Sequence, residues 1–320
     1  MNQVFLLIYK NFLVVLPIFC IIGLGYVLKK KKFMDAVFMD KASKLVFWIC
    51  LPVLLFQKIA QSDFGSNFNL QIILVCYSCL GLIFFISLFL GKLLGISGKS
   101  LGVFIQGCFR SNAAIVGLSV IINVFPDNSD EMIARAGIFI AFLVPPFNTL
   151  SVFALLLPGK DMKKKGELKK IILSVLYNPL IIGCFFGILF SVFKIGLPAW
   201  LNKAGGFLAN MTLPLALLAV GGSFSFTRIL GNMRLLIPVN IMKLIIFPAI
   251  IVLILRTLNV NADNLVIVTI IIASPTAIAS YIMACAMKSD SELAGSIVMS
   301  STVVSMFTFT FWLTIMRWIQ

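Results

Sequence analysis

The sequence predicts an all-α polytopic membrane protein: ten transmembrane helices, arranged as two inverted five-helix repeats. Three observations carry this prediction. The chain is far too apolar for a soluble domain, its apolar stretches number ten and are joined by short loops, and it repeats internally at a shift of 162 residues.

Of 320 residues, 61% are hydrophobic and 12% charged. Soluble domains run nearer half apolar and a quarter charged, and a core of this size cannot hide the excess. A soluble enzyme, a DNA-binding protein and a disordered tail are excluded. The net charge of +15 does not point to nucleic acid, because Lys and Arg gather in the cytoplasmic loops of membrane proteins. The partners implied are the lipid bilayer and a small solute.

A spanning helix needs about 20 apolar residues. The spans fall at 11–28, 43–61, 70–91, 100–124, 133–157, 171–193, 205–225, 234–257, 263–287 and 293–317. Residues 1–157 form the first five-helix repeat and 171–320 the second. Between them, 158–170 is a basic cytoplasmic loop, with six Lys from Gly159 to Lys170. The basic run Lys29–Lys32 follows the first apolar stretch instead of preceding it, which predicts a retained helix and not a cleaved signal. The connections after spans 1, 3, 5, 7 and 9 hold 17 of the 26 Lys and Arg, and the opposite side holds 7. This bias places both termini extracytoplasmic, with a bacterial plasma (inner) membrane as the expected location. Trp48, Trp200, Trp312 and Trp318 fit interfacial anchors. Pro17 and Asn178-Pro179 fall at span starts, where Pro is routine. Leu51-Pro52 and Leu213-Pro214 fall within spans 2 and 7, as kinks that shape a cavity or a subunit contact. The seven Cys lie in apolar spans, and even the Cys76/Cys79 pair reads as buried small hydrophobes.

At the 162-residue shift Pro17 falls on Pro179, Pro52 on Pro214 and Gly25 on Gly187. The same shift lays Ser111-Asn112-Ala113-Ala114 over Ala273-Ser274-Pro275-Thr276. A repeat of five helices must re-enter the membrane from the opposite side. Inverted repeats are the architecture of many secondary transporters, with sites near the midplane on interrupted helices at matching positions.

Spans 4 and 9 are those positions. Pro275 lacks an N–H and crowds the preceding turn, and Arg110-Ser111-Asn112 puts a polar group at matching depth. Ser274-Pro275 is either a plain kink or a true break. If both spans break, the N-terminal ends of the second halves suit an anion. The carbonyl ends of the first halves suit a cation. Arg110 lies about 15 Å into span 4, where a guanidinium needs a partner: an organic carboxylate or carbonyls of the broken helix. Lys243, similarly deep in span 8, is a counter-charge, a tether or a snorkelling side chain. Asn148, with Thr149, and Tyr281 line the cavity or join helices. The chain has no His, and every Asp and Glu falls in a loop or at a span end. Catalytic triads, acid pairs and phosphate loops have no residues to build them, so the protein reads as no enzyme, with no cofactor and no metal ion.

These residues are also those by which the chain resembles the auxin efflux carrier family, which holds bacterial malate and malonate permeases and the plant PIN-formed auxin carriers. The similar stretches are Leu16-Pro17, Gly23-Leu24-Gly25-Tyr26, Lys44-Leu45-Val46-Phe47 and Leu51-Pro52-Val53-Leu54-Leu55-Phe56. They continue through Arg110-Ser111-Asn112-Ala113-Ala114, Asn178-Pro179, Thr212-Leu213-Pro214-Leu215-Ala216-Leu217, Lys243-Leu244, Pro248, Pro275-Thr276-Ala277, Glu292-Leu293-Ala294 and Ser296-Ile297-Val298. The resemblance implies crossing broken helices 4 and 9, a scaffold of helices 1, 2, 6 and 7, a mobile domain of helices 3–5 and 8–10, and a homodimer through the scaffold. The plant carriers place Asn and Pro at each crossing. Here Asn112 precedes Ala113 and Ser274 precedes Pro275, so each repeat keeps half of the pattern.

The first expectation is a carrier of small organic anions, mono- or dicarboxylates such as malate or malonate or auxin-like acids, working by an elevator-like alternating access. Its substrate-binding residues are Arg110, Ser111, Asn112, Ala113, Ser274, Pro275, Thr276, Asn148, Tyr281 and Lys243. The alternatives are a sodium-coupled symporter of the bile-acid type and a non-transporting membrane receptor.

Overall fold

The computed structural model describes residues 2–157, 173, 177–224 and 233–319. The basic loop expected at 158–170 lies outside the described residues. Those described form helices and connecting turns, with one isolated β-bridge and no strand among them. The first long helix, α1, is Asn2–Lys30. Helices α2 (Ala36–Leu45) and α3 (Leu51–Ala60) are joined by a π-helical turn, Val46–Cys50. After the short α4 (Phe64–Asn67) comes α5 (Leu70–Leu93). Next are α6 (Gly98–Phe109), a π-helical turn Ala113–Gly117, α7 (Leu118–Val124) and α8 (Ser129–Leu156). The second part holds α9 (Pro179–Val192), α10 (Ala199–Gly222) and α11 (Met233–Ile241). A third π-helical turn, Met242–Ile246, leads into α12 (Phe247–Thr257). The chain ends with α13 (Ala262–Ala273), α14 (Ile278–Ala286) and α15 (Ser291–Ile319).

Among the described residues seven helices are long and apolar enough to cross a membrane. The shorter apolar helices are Ala113–Val124, Pro179–Val192 and Ala262–Ala273. Two of these three belong to interrupted helices. α6 stops at Phe109 and the chain resumes helix at Ala113; α13 stops at Ala273 and resumes at Ile278. A 12-residue helix is about 18 Å long and cannot cross a hydrocarbon core alone. Leu101 to Phe109 and Leu265 to Ala273 are buried on every side, as expected for helices apolar all round. They form the centre of the molecule.

Glycines set how closely the helices around this centre approach. A Cβ at Gly25 of α1 would collide with the Leu218 carbonyl oxygen of α10, and one at Gly221 with the Ile22 carbonyl oxygen of α1. A Cβ at Gly183 of α9 would lie 2.7 Å from the Pro52 carbonyl oxygen of α3. Small residues let backbones touch where no hydrophobic force draws helices together in lipid. The pairs α1–α10 and α3–α9 pack this way, and α3 also packs on α10. Gln57 Nε2 donates to the Asn202 carbonyl (2.8 Å), and the amide of Gln61 donates to Asn202 Oδ1 (2.7 Å), joining α3 to α10.

Prolines inside helices leave carbonyls without their i+4 donor, and other helices supply the replacement. Pro146 frees Phe142 O, which accepts from Tyr77 Oη of α5 at 2.8 Å. Pro248 frees Leu244 O, which accepts from Trp312 Nε1 of α15 at 2.8 Å. Trp312 is therefore buried inside the protein, whereas Trp48, Trp200 and Trp318 are exposed as membrane anchors would be. Pro17, expected at a span start, lies mid-helix because α1 begins at Asn2. Asn178 does cap a helix start, accepting from Leu180 N at 3.0 Å. Cys76 and Cys79 are buried, as are Cys50, Cys108 and Cys184, but Cys20 and Cys285 are exposed on helix faces.

The close α1–α10 crossing yields a test. Overpacking costs about 1–3 kcal/mol or more where backbone cannot yield. Gly221→Ala lowers the thermal unfolding midpoint in detergent, while Gly23→Ala, whose Cβ meets nothing within 4 Å, leaves it unchanged. Equal midpoints would show that the two helices separate without cost.

Candidate functional site

Both interrupted helices break at the same place in space. Ser111 and Thr276 form an antiparallel bridge, and Asn112 N donates to Pro275 O at 2.7 Å. Each break leaves backbone groups that its own helix can no longer satisfy. The other break supplies the partners. Thr276 Oγ1 donates to Gly107 O (3.1 Å), the carbonyl four residues before Ser111. Ser111 Oγ donates to Ile272 O (3.3 Å), the carbonyl four residues before Thr276. Thr276 N is taken by Ser301 Oγ of α15 (3.0 Å), and Ser274 Oγ bonds back to Ile270 O (2.7 Å). This reciprocity pairs Ser111 with Thr276 at a shift of 165 residues, three more than the shift that aligns the prolines.

The physical cause of the second break is Pro275, and of the two readings the sequence left open, kink or break, the structure has the break. The first has no proline. Arg110 and Asn112 leave helical geometry with ψ of 120° and 52°, and the chain re-enters helix through the π-helical turn at Ala113. Asn112 O accepts from both Val116 N and Gly117 N. A Cβ on Gly117 would stand 2.8 Å from Ser274 Oγ, so the second half-helix starts against the opposite break.

Lys243 stands in the π-helical turn between α11 and α12 and is 0% exposed. Its Nζ donates to Ser111 Oγ and to Ile272 O, each at 2.5 Å, and lies 5.4 Å from the centre of the Phe247 ring. Its amine thus holds one residue from each break.

Arg110 makes its hydrogen bonds outside this knot. It is 6% exposed. One amino group donates to Asn148 Oδ1 of α8 at 2.8 Å and the other to Met283 Sδ of α14 at 3.4 Å. Among the described residues no Asp or Glu lies within ion-pair distance of it. A guanidinium offers five donors, and its two bonds here go to neutral acceptors. Around it are side-chain atoms with no hydrogen-bond partner among the described residues: Asn112 Nδ2 in the break, Gln106 Oε1 one turn earlier on α6, and Ser280 Oγ one turn before Met283 on α14.

The structure therefore brings Arg110, Ser111, Asn112, Ala113, Ser274, Pro275, Thr276, Asn148 and Lys243 into one region. Tyr281 is half-buried on α14 beside it, outside the hydrogen bonds just described. Gln106, Met283, Ser280 and Ser301 belong to the same region and are not among the sequence candidates. The i, i+4 spacing of Gln106 and Arg110 is a signal that points to the first of them. Met283 is one apolar residue among many and carries no such signal.

A helical membrane protein with two interrupted helices meeting in a buried polar knot belongs to the class in which solutes are handled inside the bilayer. The comparisons agree: the family model described as membrane transport protein matches residues 12–313. The chain belongs to that family, which is auxin efflux carrier-like, as the resemblance implies. It is similar to an uncharacterized transporter of Methanothermobacter thermautotrophicus, 22% identical over 301 residues, which cover 93% of this chain and 96% of that protein. These matches point to a transporter and not to an enzyme.

Lys243→Met removes the two amine bonds and leaves Ile272 O with the longer Ser111 Oγ bond alone, and each lost hydrogen bond costs about 0.5–1.5 kcal/mol. The variant unfolds at a lower temperature in detergent than the wild type. An unchanged midpoint would mean that the breaks hold each other without the amine.

Proposed function

We propose that the protein is a secondary carrier of small organic anions, mono- or dicarboxylates, and that Arg110 receives the carboxylate. One observation carries this reading: a buried guanidinium whose hydrogen bonds, among the described residues, go to a neutral amide oxygen and a thioether sulfur. A buried charge without a counter-charge is costly. A carboxylate binds guanidinium through two parallel charge-assisted bonds, which relieves that cost when substrate is present. The unused donor Asn112 Nδ2 adds to the preference for negative charge, as do the N-terminal ends of the resumed half-helices.

The rest of the mechanism follows the family resemblance. Ten spans form two inverted five-helix repeats, with both termini extracytoplasmic in the plasma membrane. The glycine-mediated packing of α1 on α10 and α3 on α9 supports a rigid scaffold of spans 1, 2, 6 and 7, through which two copies pair. The other spans carry the polar knot as one body and move it in an elevator-like alternating access. The knot suits such motion because its hydrogen bonds run between the two breaks and the helices that travel with them.

Transport independent of sodium is the more economical reading. The carbonyl end of α13 is where a cation would find backbone oxygens, and there Lys243 already donates to Ile272 O and Ser111 Oγ. A sodium-coupled reading of the bile-acid type would need another set of oxygens.

The test is uptake of labelled malate, malonate and an aromatic carboxylate into proteoliposomes, with voltage, pH and sodium gradients imposed singly. At least one anion is taken up, and replacing sodium by potassium leaves its rate unchanged. Arg110→Ala reduces that uptake at least about 100-fold, the scale of losing a charge-assisted bidentate contact, while the protein remains monodisperse in detergent. Normal uptake by that variant removes Arg110 from the site. Silence from all three anions, with ligand binding retained, moves the assignment to a receptor.

A further inference from the structure

Gln106 is 0% exposed and lies one helical turn before Arg110 on the same face of α6. Four residues of helix separate their Cα atoms by about 6 Å. Both side chains converge on one atom: Gln106 Nε2 donates to Met283 Sδ at 3.6 Å and Arg110 donates to it at 3.4 Å. A thioether accepts hydrogen bonds weakly, and here it serves two donors at once. Because the amide nitrogen faces the sulfur, the amide oxygen is turned elsewhere, and Gln106 Oε1 is buried without a partner among the described residues. Ser280 Oγ, on the same face of α14 as Met283, is likewise buried and unpartnered. A buried acceptor left unmade is unfavourable, and an incoming O–H removes that cost.

Resting on the anion reading above, we infer that Gln106 is a specificity-determining residue: its side-chain carbonyl accepts from a hydroxyl on the carbon chain of an anion held by Arg110, so the carrier prefers hydroxycarboxylates to their deoxy counterparts. Met283 is the placeholder. Its unbranched, adaptable side chain occupies the sulfur position between the two donors when no substrate is there and withdraws when a carboxylate enters. The shared sulfur keeps the guanidinium and amide nitrogens within about 7 Å of each other. The amide oxygen shares its carbon with that nitrogen and lies about 2.3 Å from it, so a carboxylate on the guanidinium with a hydroxyl one or two carbons away reaches both groups. Sites built to bond a substrate hydroxyl discriminate against the analogue that lacks it, because the site's own polar group is then stranded. Asn148 and Asn112 do not serve this purpose. The Asn148 oxygen is already committed to Arg110, and the free atom of Asn112 is a donor.

The experiment uses two matched pairs, lactate against propionate and malate against succinate, each labelled and presented to the protein in proteoliposomes. The expected result is a kcat/KM about tenfold higher for the hydroxylated member of at least one pair. Gln106→Met keeps the volume and the sulfur-compatible shape but has no acceptor oxygen; it brings that pair to parity by slowing the hydroxylated anion alone. Gln106→Asn retracts the same carbonyl by one methylene and gives the same loss of ratio, so the test survives if either variant fails to fold. A merely structural role would slow both members equally and leave the ratio untouched, which overturns the inference. Parity in the wild type overturns it too, while the carrier reading stands as long as both anions move. Transport of none of the four overturns the anion reading and this inference with it.

Discussion

Two interrupted helices meet because each break holds what the other lacks. Breaking an α-helix in an apolar interior strands carbonyls and N–H groups, and each stranded group costs free energy comparable to a lost hydrogen bond. The hydroxyl of Thr276 covers Gly107 O, the hydroxyl of Ser111 covers Ile272 O, and Asn112 N bonds to Pro275 O. Neither break is sustainable in lipid by itself. Each half-helix is too short to span a hydrocarbon core alone, and the two breaks are held together by their mutual bonds. The buried position of α6 and α13 and the location of every candidate site residue follow from that constraint.

Lys243 and Arg110 show two fates of a buried cationic side chain. Lys243 faces the knot, and its amine donates to one oxygen from each break. Arg110 donates outside it, to an amide oxygen and a sulfur. The first arrangement pairs the amine with oxygens of the protein; the second leaves the guanidinium, among the described residues, with neutral partners and no counter-charge, which is the feature the proposed anion reading rests on. Arg suits the second role because its planar fork matches a carboxylate, whereas the compact amine suits a point-like tether.

The same economy governs the periphery. Helices broken or kinked by proline are tolerated where another helix can return a donor, as Tyr77 does for Phe142 O and Trp312 for Leu244 O. At one end of the molecule Arg135 binds Glu131, Asn67 and Asn264, tying the starts of α8 and α13 to α4. Lys58 of α3 bonds to Asp130 of α8 at 2.6 Å. These contacts are exposed or partly so, where single ion pairs contribute at most about 1 kcal/mol. They orient the helix ends and leave the cohesion of the fold to apolar packing and the knot.

The membrane class, the apolar helices and both break positions were legible in the sequence because each rests on local chemistry. Apolar runs of about 20 residues must be helical in lipid, Pro275 cannot donate, and Arg110-Ser111-Asn112 is intolerable on a lipid face. Residues whose meaning depends on a distant neighbour were not legible. Trp312 reads as a surface anchor until Pro248 is seen to free a carbonyl beside it. Lys243 has three readings until its amine is found between Ser111 and Ile272. Met283 is one more apolar residue until two donors converge on its sulfur, and Gln106 gains its interest only from the oxygen that this convergence leaves over. The sequence by itself determined where the backbone must be helical and where it cannot be, since those limits act within a turn of chain. The tertiary structure alone decided which stranded groups are satisfied and which remain open, since hydrogen bonds between helices, such as those of Lys243 with Ile272 and of Gln106 with Met283, join residues 29 and 177 positions apart.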